Sequence, residues 1–187
     1  SILRKRLFED VESERDFASA RYEIAMRYKE AVSASKRLGF TSYSGEEVFK
    51  GVTDSYPFHP SIKELYARFK ENQNFQQTRG LIKLMRQIIR ELYESGRADE
   101  TYLINAYDVN LHNKNLMALF RQIKPSLEGA ISHDVAEQNN KSVAENIDNE
   151  RGDEKDYAQQ LAKMLLVASL STATHANLGL TEAEVLG

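Results

Sequence analysis

An all-α, mostly helical chain is predicted by three observations. Proline occurs only at positions 57, 60 and 125. Long stretches are built from Ala, Leu, Glu, Lys, Arg and Gln, which lose little side-chain entropy in a helix. Apolar residues recur at helical rather than alternating spacing. Ile2, Leu3 and Leu7 keep that spacing, so residues 2–9 form a first short helix. Residues 14–37 form a longer one, with Phe17, Ile24, Tyr28 and Val32 as its apolar stripe and Gly39 as its stop. The segment 41–45 is a turn, followed by a short helix or turn over 46–50. Residues 56–61, Tyr-Pro-Phe-His-Pro-Ser, are held largely extended, because each proline disfavours the α conformation of the residue before it. Ser61 then caps a helix to position 70, with Ile62, Leu65, Tyr66 and Phe69 on one face. A polar connector over 72–77 leads to a helix over 78–95 that Gly96 stops. Further on, 102–104 is a short extended piece and 108–111 a turn. Helices follow over 113–123, with Leu116, Leu119, Phe120 and Ile123 inward, and over 127–135. The segment 137–156 holds a helix around Val143, Ala144 and Ile147 and then an acidic loop. Residues 157–170 form the most apolar helix.

At 187 residues with 41% hydrophobic content, the chain can bury one sizeable core or two small ones. A formal net charge of -3 argues against a surface that is basic throughout and dedicated to nucleic acid, and leaves local basic patches open. The absence of cysteine removes disulfides, thiol catalysis and cysteine-ligated metals, and fits a reducing, cytoplasmic interior. Residues 1–6 are not followed by an apolar export segment, and the run 161–170 is too short to span a bilayer, so no membrane partner is expected. Ser1 is not an initiator methionine, and 181–184 reads as a helix start, so a piece of a longer protein is expected.

The helix after Thr78 carries two stripes. Leu81, Met85, Ile88 and Leu92 recur at i, i+4, i+7 and i+11, and Arg79, Lys83, Arg86 and Arg90 follow the same offsets two positions earlier. Two residues are about 200° on a helix, so the basic stripe lies opposite the apolar one. Arg79 falls in the first turn, where unsatisfied backbone N–H groups and a guanidinium together attract phosphate. Gly80 lets another backbone or a ligand come close. Spacing alone favours an ordinary amphipathic helix with a solvated basic face.

The blocks Tyr56-Pro57-Phe58-His59-Pro60 and Phe75-Gln76-Gln77-Thr78-Arg79-Gly80-Leu81-Ile82-Lys83-Leu84 resemble those of a family of large bacterial and archaeal AAA+ ATPases catalogued as a domain of unknown function. Members are often encoded near restriction and anti-phage defence systems. Weaker likenesses at 2–8, 108–111, 144–148, 166–171 and 179–185 extend the resemblance over nearly the whole chain. It implies a helical lid with a sensor-2-like helix over 1–97, a helical linker with an acidic loop over 98–156, and the start of a winged-helix module over 157–187. Arg79, with Thr78 and Gly80, is the implied nucleotide sensor, and Tyr56, Pro57 and His59 are the implied hinge or nucleotide-adjacent residues. The chain departs from the family at Gln77, where arginine is common. No G-x-x-x-x-G-K-[ST] loop is present, so ATP with Mg is implied only in the complete protein, bound to an upstream P-loop core. The resemblance also implies a homo-oligomer and, as further partners, DNA or a defence-system protein.

The alternative is a helical interaction module with no nucleotide role, holding a protein or DNA partner on Lys83, Arg86 and Arg90. Other chemistry is less well supported. His59, His112, His133 and His175 show no zinc-ligand spacing, and no metal is expected. His59 suits a partly buried side chain that fixes its loop. The run 148–153 has a glycine misplaced for a calcium loop and reads as solvated. Arg4, Lys5 and Arg6 suit the surface face of a short helix or a contact with nucleic acid or a neighbouring subunit. Ser169, Ser171 and Thr172 near His175 lack a nucleophile elbow. No catalytic residue is expected within the chain.

Overall fold

In a computed structural model of the protein, residues 14–62, 78–136, 141–152 and 155–169 are described. The fold is all-α. The described helices are α1 (Glu14–Arg37), α2 (Gly45–Ser55), α3 (Thr78–Glu94), α4 (Lys114–Ile123), α5 (Glu128–Ala130), α6 (Val143–Arg151) and α7 (Tyr157–Ser169). Short 3₁₀ turns at Arg97–Glu100, Ala106–Asp108 and Pro125–Leu127 and a π turn at Ile131–Val135 join them. The expected helix over 2–9, most of the one over 61–70, the connector over 72–77 and the chain beyond 169 lie outside the described residues. So do Arg4, Lys5, Arg6, Ser171, Thr172 and His175.

Local chemistry accounts for the element ends. Lys36 and Arg37 place positive charge in the last turn of α1, against the negative end of its dipole, and Gly39 then turns the chain at φ 79°. Helix α2 is longer than the 46–50 expected. The Ser44 hydroxyl accepts from the Glu47 N–H at 3.2 Å and the Glu47 carboxylate accepts from the Ser44 N–H at 3.0 Å, a reciprocal cap. Val48 and Val52, one turn apart, then bury against α1 and carry the helix on to Ser55.

Two other expectations are corrected. The 127–135 segment is not one regular helix: after α5 the Ala136 N–H reaches the Ile131 carbonyl at 2.8 Å, an i to i+5 closure. This wider turn buries Ala136 beside Ile131 and Val135, whereas a regular helix would carry Ala136 about 140° away from Ile131. The acidic run from Asp148 is not a solvated loop. It continues α6 to Arg151, where Gly152 stops the helix at φ 67°. Within it Asp148 is 6% exposed and accepts from the N–H groups of Ala158 and Gln159 at 2.8 and 3.0 Å. A carboxylate from α6 thus satisfies orphan donors at the start of α7. On α6, Val143 and Ile147 are exposed, and the buried pair is Ala144 and Asp148.

The buried residues form two apolar cores. The smaller holds Ala25 and Val32 of α1, Val48 and Val52 of α2, and Leu103. The larger gathers Phe58, the inner face of α3, residues 104–120, the π turn and Leu166–Ala168 of α7. The chain passes from the smaller to the larger twice, at Tyr56 to Phe58 and at Leu103 to Ile104. At that crossing Phe58 and Ile104 form an isolated parallel bridge.

Candidate functional site

Helix α3 is divided as its sequence requires. Leu81, Leu84, Met85, Ile88 and Leu92 are each at most 3% exposed, whereas Arg79, Lys83, Arg86 and Arg90 face solvent. Thr78 opens the helix, Arg79 is its second residue, and Gly80 is buried. Arg90 Nε pairs with Glu94 Oε1 at 2.6 Å. Arg79, Lys83 and Arg86 make no ion pair with the other described residues. The far end of α3 is held: the Glu91 carboxylate accepts from Asn110 Nδ2 at 2.9 Å, from Asn113 Nδ2, and from Gln87 Nε2 at 3.4 Å. The hydrogen bond from Asn110, reinforced by those from Asn113 and Gln87, keeps the Glu91 carboxyl below its usual pKa.

The block from Tyr56 to Pro60 sits at the crossing between the cores. The Tyr56–Pro57 peptide is cis. The His59 N–H donates to the Ile104 carbonyl, and the Ile104 N–H to the Pro57 carbonyl, both at 2.9 Å. Ser55 Oγ lies 2.7 Å from the Phe58 carbonyl it donates to, and Phe58 is 2% exposed. His59 is half-buried as expected, and its Nδ1 accepts from the Ser61 N–H at 3.3 Å. Tyr56 packs edge-on against Phe17 with ring centroids 4.9 Å apart, and its burial raises the hydroxyl pKa. This block and α3 meet through the larger core, where Phe58 lies in the same cluster as Leu81, Leu84 and Met85.

Beside this crossing lies a group of polar side chains that sequence reasoning did not single out. Asp108, 4% exposed, accepts from Arg97 Nη2 at 3.2 Å and from the Asn105 N–H at 2.7 Å. Burial pushes the Asp108 carboxyl up, against the opposing pull of the Asn105 N–H and of Arg97. Burial and the Asp108 charge likewise raise the hydroxyls of Tyr28 and Tyr107, Tyr107 to about 12, so both stay protonated at neutral pH. Lys163 reaches in from α7, and burial, then the nearby Arg97, lowers its pKa. The Tyr28 ring stands 6.2 Å from the His59 ring. The signal for this cluster was an acid set in the otherwise weakly polar run 103–109. Tyr28 gave no such signal, because it counts equally well toward the apolar stripe of α1.

Every fully buried side-chain nitrogen or oxygen among the described residues has a hydrogen-bond partner. Among the described residues no three His, Asp or Glu side chains gather as metal ligands, and no helix is long and apolar enough to cross a membrane. On α3, Arg79, Lys83 and Arg86 are presented outward and could meet an anion. A family model described as the DUF499 second domain matches residues 1–181. No curated protein and no solved structure matches the chain.

Proposed function

Because the chain belongs to the DUF499 second-domain family, we propose that it is the helical lid region of a P-loop ATPase, coupling nucleotide state to lid movement. The observation that carries this reading is the asymmetry of α3. Its first turn presents Arg79 to solvent with no ion pair among the described residues, while its far end is tied down through Glu91. A planar, permanently charged fork at a helix start suits phosphate oxygens and loses a strong contact when the γ-phosphate leaves. The resemblance of the Tyr56–Pro60 and Thr78–Gly80 blocks to AAA+ lids supports the same role. A second domain also implies a domain before it, in which a phosphate-binding loop would lie. In this reading ATP with Mg is bound by that upstream core, as the resemblance implies. In this reading Tyr56, Pro57 and His59 form the hinge beside the lid, and the setting is the DNA-related or anti-phage system that the resemblance implies.

The test is ATP turnover by the full-length protein. Arg79→Ala should lower kcat on the order of tenfold or more, because it removes a guanidinium from developing phosphate charge. Arg79→Lys should recover only part of the loss, since an ammonium cannot make the forked contact. Unchanged turnover in Arg79→Ala would remove Arg79 from the nucleotide site.

A further inference from the structure

The outer face of α3 bears more than the first-turn arginine. Arg79, Lys83, Arg86 and Arg90 follow one another at alternating four- and three-residue steps, and the row ends at Tyr93, 70% exposed. The acid on this face is Glu94, which pairs with Arg90. Glu91 is turned toward Asn110 and Asn113 instead. A chain with a formal net charge of -3 thus concentrates four cations against one acid along a single helix.

The dimensions and chemistry of this row suit one kind of partner. At 1.5 Å per residue the cations from Arg79 to Arg90 span about 16 Å, close to the axial length of about five phosphates of one DNA strand at 3.4 Å each. An acidic protein partner would call for an apolar, desolvated centre, yet the one large apolar side chain exposed on α3 is Tyr93, at the row's end. A single strand would call for several stacking aromatics along the row, and Tyr93 stands alone. We propose that the outer face of α3 binds the phosphate backbone of double-stranded DNA without reading its sequence. This inference does not depend on the nucleotide role of Arg79.

The test is fluorescence anisotropy of a labelled duplex with the full chain across a salt series, beside the same sequence as a single strand and polyglutamate as competitor. Three to four phosphate contacts predict a slope of log K against log salt of about -3 to -4, little changed between duplex sequences. Lys83→Gln with Arg86→Gln should make that slope shallower by about 2. Lys83→Arg with Arg86→Lys keeps the charges and should retain the wild-type slope, which separates loss of contact from loss of fold. The proposal is overturned by no duplex binding at low salt, by a slope that the neutral pair leaves unchanged, or by preference for the single strand or polyglutamate.

Discussion

At the scale of single residues, the carboxylate of Glu91 decides how α3 is held. It collects amide donors from Asn110 and Asn113 on the following turn and from Gln87 on its own helix. Glu91→Gln would aim an amide N–H₂ at a site filled by donors, leaving Asn110 or Asn113 without an acceptor. Hydrogen bonds to a charged group contribute more than neutral ones, so the variant should lose about 1 to 3 kcal/mol in a denaturant titration at neutral pH. Because the folded pKa of Glu91 lies below its ordinary 4.5, its contribution is fully present above that value. It is lost as pH falls through the folded pKa, so the gap between wild type and Glu91→Gln should narrow progressively as pH falls below 4.5. A gap that persists unchanged into acid would assign the loss to packing rather than to the charge. Helical spacing could not show this role. It pairs Glu91 with its neighbours at i−4 and i+3, whereas its decisive partners lie 19 and 22 residues along the chain.

Among the elements, the α1–α2 hairpin turns on Gly45. This buried glycine opens α2, and a Cβ placed there would meet the Ser33 hydroxyl and stand 2.7 Å from the Lys29 backbone carbonyl. Lys29 also pairs with Glu46 across the same contact. Gly45→Ala would bring a helix-propensity gain of at most about 1 kcal/mol, set against an overpacking cost of about 1 to 3 kcal/mol in a contact where the obstructing atom is backbone. Net destabilisation and a lower Tm are expected, and a Tm equal to or above wild type would show that α1 and α2 can move apart at no cost. Much at this scale was legible in the sequence. The bounds of α1, the stops at Gly39 and Gly96, the two faces of α3 and the break at Pro125 follow from local rules, because periodicity and capping act within a few residues. The length of α2, the π turn and the continuation of α6 through Asp148 were not legible, since each is settled by a distant surface: α1 for Val52, the larger core for Ile131, and the N-terminus of α7 for Asp148. For the candidate site, the exposure of the basic stripe could be read from spacing. The polar cluster around Asp108 could not, because Tyr28, Arg97, Tyr107 and Lys163 come from segments that only the fold brings together.

In the whole molecule, the buried apolar residues among those described fall into two separate clusters, and this sets how the protein opens. Helices α1 and α2 pack chiefly on each other. Among the described residues they join the remainder through Leu103, through Tyr56 and through the polar group around Asp108. The two backbone hydrogen bonds of the Phe58–Ile104 bridge contribute about 1 kcal/mol each. The Arg97–Asp108 pair offsets its Coulombic gain with the cost of burying Asp108. Such a seam is weaker than either core, so the α1–α2 hairpin should open as a unit before the larger core does. Leu103→Ala removes a buried side chain of the smaller core at a cost of about 2 to 5 kcal/mol. In native-state amide exchange it should speed exchange in α1 and α2 while α3 and α4 keep their protection. Leu116→Ala, an equal truncation in the larger core, should speed exchange in α3 and α4 as well. Equal acceleration of all four helices by Leu103→Ala would mean that the seam binds the two cores into one cooperative unit. The hinge assigned to Tyr56, Pro57 and His59 would then have no mechanical basis, because no part of the molecule could swing about it without unfolding the rest.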